Sequence, residues 1–183
     1  MLTLQQIIDE ADLLVPNTVD PPDKVTQLNA INREFFNVIK IPKIVRFAGV
    51  LGQSDYTLPT DVREKNIDLV EVGLLKYRNL MSDEINPTQN NWSYDDNSKV
   101  MTLSPAPYQN GLPGIVRHHR FATTTFLSGN LTAIPDAPEE YHWTYVPALC
   151  TWLALTQEDA SKAAIYEAQY KSAWNVAAQN YQK

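Results

Sequence analysis

The chain has 183 residues, 44% of them apolar and 20% charged, with 15 Lys and Arg against 21 Asp and Glu. That is enough apolar material for one ordinary domain to outweigh its ordering entropy, and a net charge of −6 argues against a protein whose task is to grip phosphate backbones. Cys150 is the only cysteine, which rules out an intrachain disulfide and Cys-pair zinc sites.

The opening MLTLQQIIDEADLL lacks the basic and apolar regions of a secretion signal, and no stretch reaches the ~20 apolar residues of a membrane span. The expectation is synthesis in a reducing cytoplasm, with neither export nor membrane anchoring. Thr3 and Gln6 have capping-box spacing, and Leu4, Ile7, Ile8 and Ala11 share a helical face, predicting a first helix that ends near Leu14. Asp20 as N-cap, Pro21 at the first helical position, and Val25, Leu28, Asn32, Phe35, Phe36 and Ile39 at helical spacing predict a second, over 21–39. Pro42 stops it.

From Ile44 to Phe121 short β-type runs alternate with turn residues: 44–50, 67–77, 92–94, 100–103 and 114–121. Asp95 to Ser98 reads as a hairpin loop. The run from Ile67 carries apolar side chains in both phases, so either both faces are covered or a bulge shifts the register. Asp136, Pro138 and Glu139 then supply an N-cap, a first-turn proline and an acid at the third position of a helix whose apolar face is His142, Tyr145, Val146, Leu149, Cys150 and Leu153. Pro147 predicts a kink or a boundary just before it. Thr156 and Asp159 open a final helix of about 25 residues. The pattern is α+β, with helices on either side of a small, mostly antiparallel β insert: residues 1–43, 44–133 and 134–183 of a single domain.

No residue group carries the signature of catalysis. His118 and His119, adjacent on a strand, point to opposite faces and do not share a metal ion. Asp136, Glu139, Glu140 and His142 could be arranged as the acid pair of a glycoside hydrolase, but acids at a helix start are explained by capping and the helix dipole. No phosphate-binding glycine loop, nucleophile elbow or zinc-peptidase helix is present. No cofactor is implied.

Two stretches lack charge altogether, FATTTFLSGNLTAIP over 121–135 and SAWNVAAQNYQ over 172–182. Charge depletion with aromatic enrichment marks surface that becomes buried against another chain. Phe121, Thr123, Thr124, Thr125, Phe126 and Leu127 are the candidate contacts of the first. On the final helix, Tyr166, Tyr170, Trp174, Ala177 and Tyr181 share a face. Its half up to Lys171 is expected to belong to the fold. The half from Trp174 onward, with Asn175, Gln179, Asn180, Tyr181 and Gln182, is expected to be a separable docking segment.

The helix around Leu28, Asn29, Asn32, Arg33, Glu34, Phe35 and Phe36, the segments at Tyr56 to Asp61, Trp92 to Asp95, Met101 to Pro107 and Ile115 to His119, and the C-terminal pattern of Ile134, Pro135, Glu139, Glu140, His142, Ala148, Leu153, Glu158, Asp159, Tyr166 and Tyr170 together resemble the head-to-tail connector, or adaptor, proteins of tailed bacteriophages. The resemblance implies a helical bundle with a β insert, assembled as a dodecameric ring in the virion below the portal protein and around the channel through which DNA passes. It implies the portal and a downstream neck or tail protein as partners, no specific DNA binding, no membrane and no catalytic step. The docking segment from Trp174 would then meet the portal, and the 121–127 segment a neighbouring subunit or the tail. The alternatives are another neck or tail-completion ring protein, or a virion-associated cell-wall hydrolase using Glu139 or Glu140.

Overall fold

The computed structural model describes residues 1–80 and 89–181. The chain divides into a helical unit, residues 1–40 and 121–183, and a sheet unit, residues 41–120.

In the helical unit, α1 (Leu4–Leu14) begins with the expected capping box, Thr3 accepting from the Gln6 backbone and Gln6 reaching back to the Thr3 N–H. Its face of Leu4, Ile7, Ile8 and Ala11 is buried. α2 (Pro21–Val38) starts at Pro21, with Asp20 capping through its backbone carbonyl rather than its side chain. A short 3-10 turn at 139–144 leads into α3 (Tyr145–Thr156), where Pro147 is the third residue. A proline there has no intrahelical hydrogen bond to forfeit, so the boundary precedes it and no kink is needed. Tyr145 to Cys150 are all buried, which makes α3 the central helix, packed on α1, α2 and α4 (Ala160–Tyr181). Thr156 ends α3 instead of opening the last helix, and Asp159 caps α4 by accepting from the Lys162 N–H at 2.9 Å.

The sheet unit holds β1 (Pro42–Gly49), β2 (Asp55–Thr57), β3 (Ile67–Val72), β4 (Leu75–Asn79), β5 (Asn91–Asp95), β6 (Val100–Ser104) and β7 (Leu112–His119). They form one curled, half-barrel-like sheet in the order β1-β7-β3-β4-β5-β6-β2. All pairs are antiparallel except β4 with β5, so the sheet is mixed. A register shift between Ile67 and Leu69 is the bulge that puts apolar residues in both phases of β3. The core is built from Tyr56, Leu58, Val62, Val70, Val72, Tyr77, Trp92, Tyr94, Met101, Leu103 and Val116. Phe47 covers Gly114, its cross-strand partner, so closely that a Cβ at 114 would meet the ring at 2.5 Å.

A helical bundle with a small β insert is therefore the wrong description of this α+β chain. The described residues form four α-helices in one unit and a seven-stranded curled mixed sheet in the other. The shortfall came from strands too short to show periodicity, such as β2, and from a two-residue turn at Gly73 and Leu74 that splits one apolar run into β3 and β4.

Candidate docking surfaces

Residues 121–138 are irregular yet firmly held. Asp136 accepts hydrogen bonds from the backbone N–H of Thr123 (2.9 Å) and Thr124 (2.8 Å), the Thr124 hydroxyl (2.6 Å) and the Asn32 amide (3.0 Å). Burial alone would raise its pKa, but these donors outweigh that and hold the carboxyl below its ordinary value. Asp136 thus straps a loop to α2 and does not cap a helix. Asn29 does the same one turn earlier, donating to the Phe126 carbonyl (3.0 Å) and accepting from the Phe126 N–H (2.8 Å). Leu131 and Ala133 carbonyls accept the first free N–H groups of α1, from Gln5 and Leu4.

This strapping sorts the expected contact residues. Thr123, Thr124, Thr125 and Leu127 are exposed, Phe121 is half-buried, and Phe126, 2% exposed, is core. Beside them a cleft of about 220 Å³ is lined by Thr26, Asn29, Arg33, Ala122, Thr124 and Thr125.

On α4 the buried face is Ala163, Tyr170, Trp174 and Ala177. Trp174 is 1% exposed. It stands edge-on to Phe35, with ring centroids 5.5 Å apart, and its indole N–H donates to the Thr144 hydroxyl at 2.9 Å. Core packing therefore runs past Lys171 to at least Ala177, and the segment from Trp174 is not separable from the fold. Asn175, Gln179 and Asn180 are exposed, Tyr181 is half-buried, and Gln182 lies outside the described residues.

Nor do the acids and histidines converge on a reaction centre. Glu139 pairs with the Met1 amine, which lowers its pKa, the reverse of what a general acid needs. His142 is buried; its Nδ1 accepts from the Leu2 N–H, so Nε2 carries the proton and donates to the Ala137 carbonyl at 2.8 Å. His118 is fully buried, and neither ring nitrogen has a hydrogen-bond partner. His119 lies toward Asp68 at 3.4 Å. Among the described residues, no three His, Cys, Asp or Glu side chains are gathered as metal ligands would be.

The comparison with known families decides the class: a family model described as SU10 adaptor protein matches residues 2–183. The chain belongs to the SU10 adaptor protein family. It is a structural adaptor component of a phage virion that associates with other head or tail proteins. No curated relative matches it. The family assignment gives weight to two further features of this adaptor chain. Its acid excess is confined to the helical unit, which has 12 acidic and six basic residues against nine of each in the sheet unit. Uncharged stretches also recur in the sheet unit, at 100–116, as long a run as that at 121–135, and more briefly at 47–54 and 72–75.

Proposed function

We propose that this chain is the ring-forming adaptor between portal and tail, a dodecamer in the particle whose inner wall lets DNA pass without binding it. The family match over 2–183 carries the reading. The role is geometric and involves no catalysis. One face docks on the portal, lateral faces close the ring, and another face receives the next neck or tail protein.

The portal contact is assigned to the outer surface of α4 at Asn175, Gln179, Asn180 and Tyr181. Trp174 acts from beneath by fixing the helix, since an anchored helix presents its polar side chains at low entropic cost. Thr123, Thr124, Thr125 and Leu127, with Phe121 and Phe126 holding them from below, form the second contact, to a neighbouring subunit or the tail. Their strapping by Asp136 and Asn29 supports this, because a preordered loop loses less entropy on docking. The acid excess of the helical unit suits a wall past which a polyanion slides.

The test is to mix the purified chain with portal rings of the same phage and image the product. A closed ring of copies on the tail-facing end of the portal is expected. Binding only to tail components would make the chain a tail-completion protein instead.

A further inference from the structure

Three loops of the sheet unit, far apart in sequence, meet at one end of the sheet. The β1–β2 connection is tied to the β6–β7 connection by three hydrogen bonds: Gly111 N–H to the Gly49 carbonyl (2.8 Å), Gly52 N–H to the Pro107 carbonyl (3.0 Å) and Leu51 N–H to the Asn110 side chain (2.8 Å). The β3–β4 turn joins them through Gly73 N–H to the Pro113 carbonyl (2.8 Å). Gly73 takes φ +61° at the first position of that two-residue turn, a geometry suited to glycine, and it lifts Leu74 to the tip.

At this braced end Leu74 is 97% exposed, Tyr108 61%, Leu51 60% and Val50 43%. None of the three loops contains a charged residue. Soluble proteins expose single apolar side chains freely, but four large ones on mutually hydrogen-bonded, charge-free loops mark a contact site.

We infer that this loop end is the surface on which a second copy of the chain seats, an inference that rests on the ring reading above. Charge selects the occupant. The whole surplus of −6 belongs to the helical unit, so copies repel where those units approach one another. The neutral sheet unit, with an apolar and uncharged loop end, receives a like-charged copy without that penalty. A nucleic acid finds no cation there. Leu74, 97% exposed at the tip, projects outward, whereas small-molecule sites are concave.

The experiment compares the full chain with the double variant Leu74→Glu, Tyr108→Glu. Both side chains point to solvent, so an unchanged melting temperature verifies the fold. Native mass spectrometry follows filling of portal rings, and sedimentation velocity follows the free chain up to its solubility limit. Wild type should fill the ring cooperatively, and the variant should bind as scattered single copies, with copy-to-copy affinity reduced about tenfold or more. Cooperative filling by the variant overturns the inference and leaves the ring reading standing. A variant that fills normally but no longer recruits the tail-side protein overturns the choice of occupant. If the wild type neither gathers on portal rings nor self-associates in solution, the ring reading itself fails, and this inference with it.

Discussion

Replacing Trp174 with alanine separates a core residue from a surface anchor. The indole is 1% exposed, packed edge-on against Phe35 at 5.5 Å and Tyr170 at 4.8 Å, and hydrogen-bonded to the Thr144 hydroxyl. Removing a large aromatic from such a site costs about 3–5 kcal/mol, from lost transfer energy and the cavity left among side chains that relax only in part. The Thr144 hydroxyl still donates to the Tyr141 carbonyl, so the lost hydrogen bond adds little. For a chain of this size that is a fall of roughly 6–20 °C in melting temperature, since each kcal/mol moves it by about 2–4 °C. Thermal unfolding followed by circular dichroism near 222 nm reads the helical unit directly, because that signal is dominated by α-helix. Trp143→Ala, at a half-exposed site, is the control and should shift melting little. A Trp174→Ala chain that melts like wild type but no longer binds portal would refute the reasoning and restore the indole as a surface anchor.

Asp136→Ala should cost about 3 kcal/mol, because two backbone N–H groups and the Asn32 amide lose a charged acceptor, and hydrogen exchange at 123–126 should rise with it. Gly114→Val should destabilise the sheet unit by about 1–3 kcal/mol, as the Phe47 ring has to leave its place; Phe47→Ala in the same chain should recover part of the loss in urea unfolding. Burial lowers the pKa of His118, so the unfolded chain binds this proton more readily and stability falls as pH drops below 6.5, at no more than about 1.4 kcal/mol for each pH step of one. His118→Leu should flatten that window while leaving the loss at more acid pH, where Asp61 and Asp136, both depressed below 3.8, take up protons. Asn175→Glu with Gln179→Glu, both on the exposed face of α4, should leave melting unchanged and weaken portal binding about tenfold or more.

Much of the helical unit could be read locally. Thr3 and Gln6 cap α1 as their spacing says, Pro147 marks a boundary, and Asp95 to Ser98 turn a hairpin. What escaped was determined by partners distant in sequence. Asp136 stands where a helix cap would, but its donors are Thr124, Thr123 and, 104 residues away, Asn32, which no local pattern announces. β2 is three residues long and is stabilised by pairing with β6, so periodicity had nothing to work on. Charge depletion was a sound signal of burial and a poor guide to what does the burying. In the 121–135 and 172–182 stretches it flagged Phe126 and Trp174, and both are buried against their own chain. Alternation within each stretch separates the two cases, since Thr125 and Asn175, one residue away, are exposed.

Charge placement constrains the assembly more tightly than total charge does. Spread evenly, a surplus of −6 would make every contact between copies mildly repulsive. Confined to one unit, it leaves the other free to carry adhesion, so in the proposed ring the two demands on a channel would fall to different parts of one chain. The wall past a polyanion has to be acidic or neutral, and the joint between copies has to be neutral or complementary. The sheet unit, with nine acids and nine bases and an uncharged, braced loop end, has the charge balance the second demand calls for; the helical unit, with twice as many acids as bases, has that of the first. At physiological ionic strength repulsion between exposed charges fades over about 8 Å. In the proposed ring, joints made through the sheet unit would therefore need only to hold neighbouring helical units somewhat farther apart than that for an acidic wall to cost little stability.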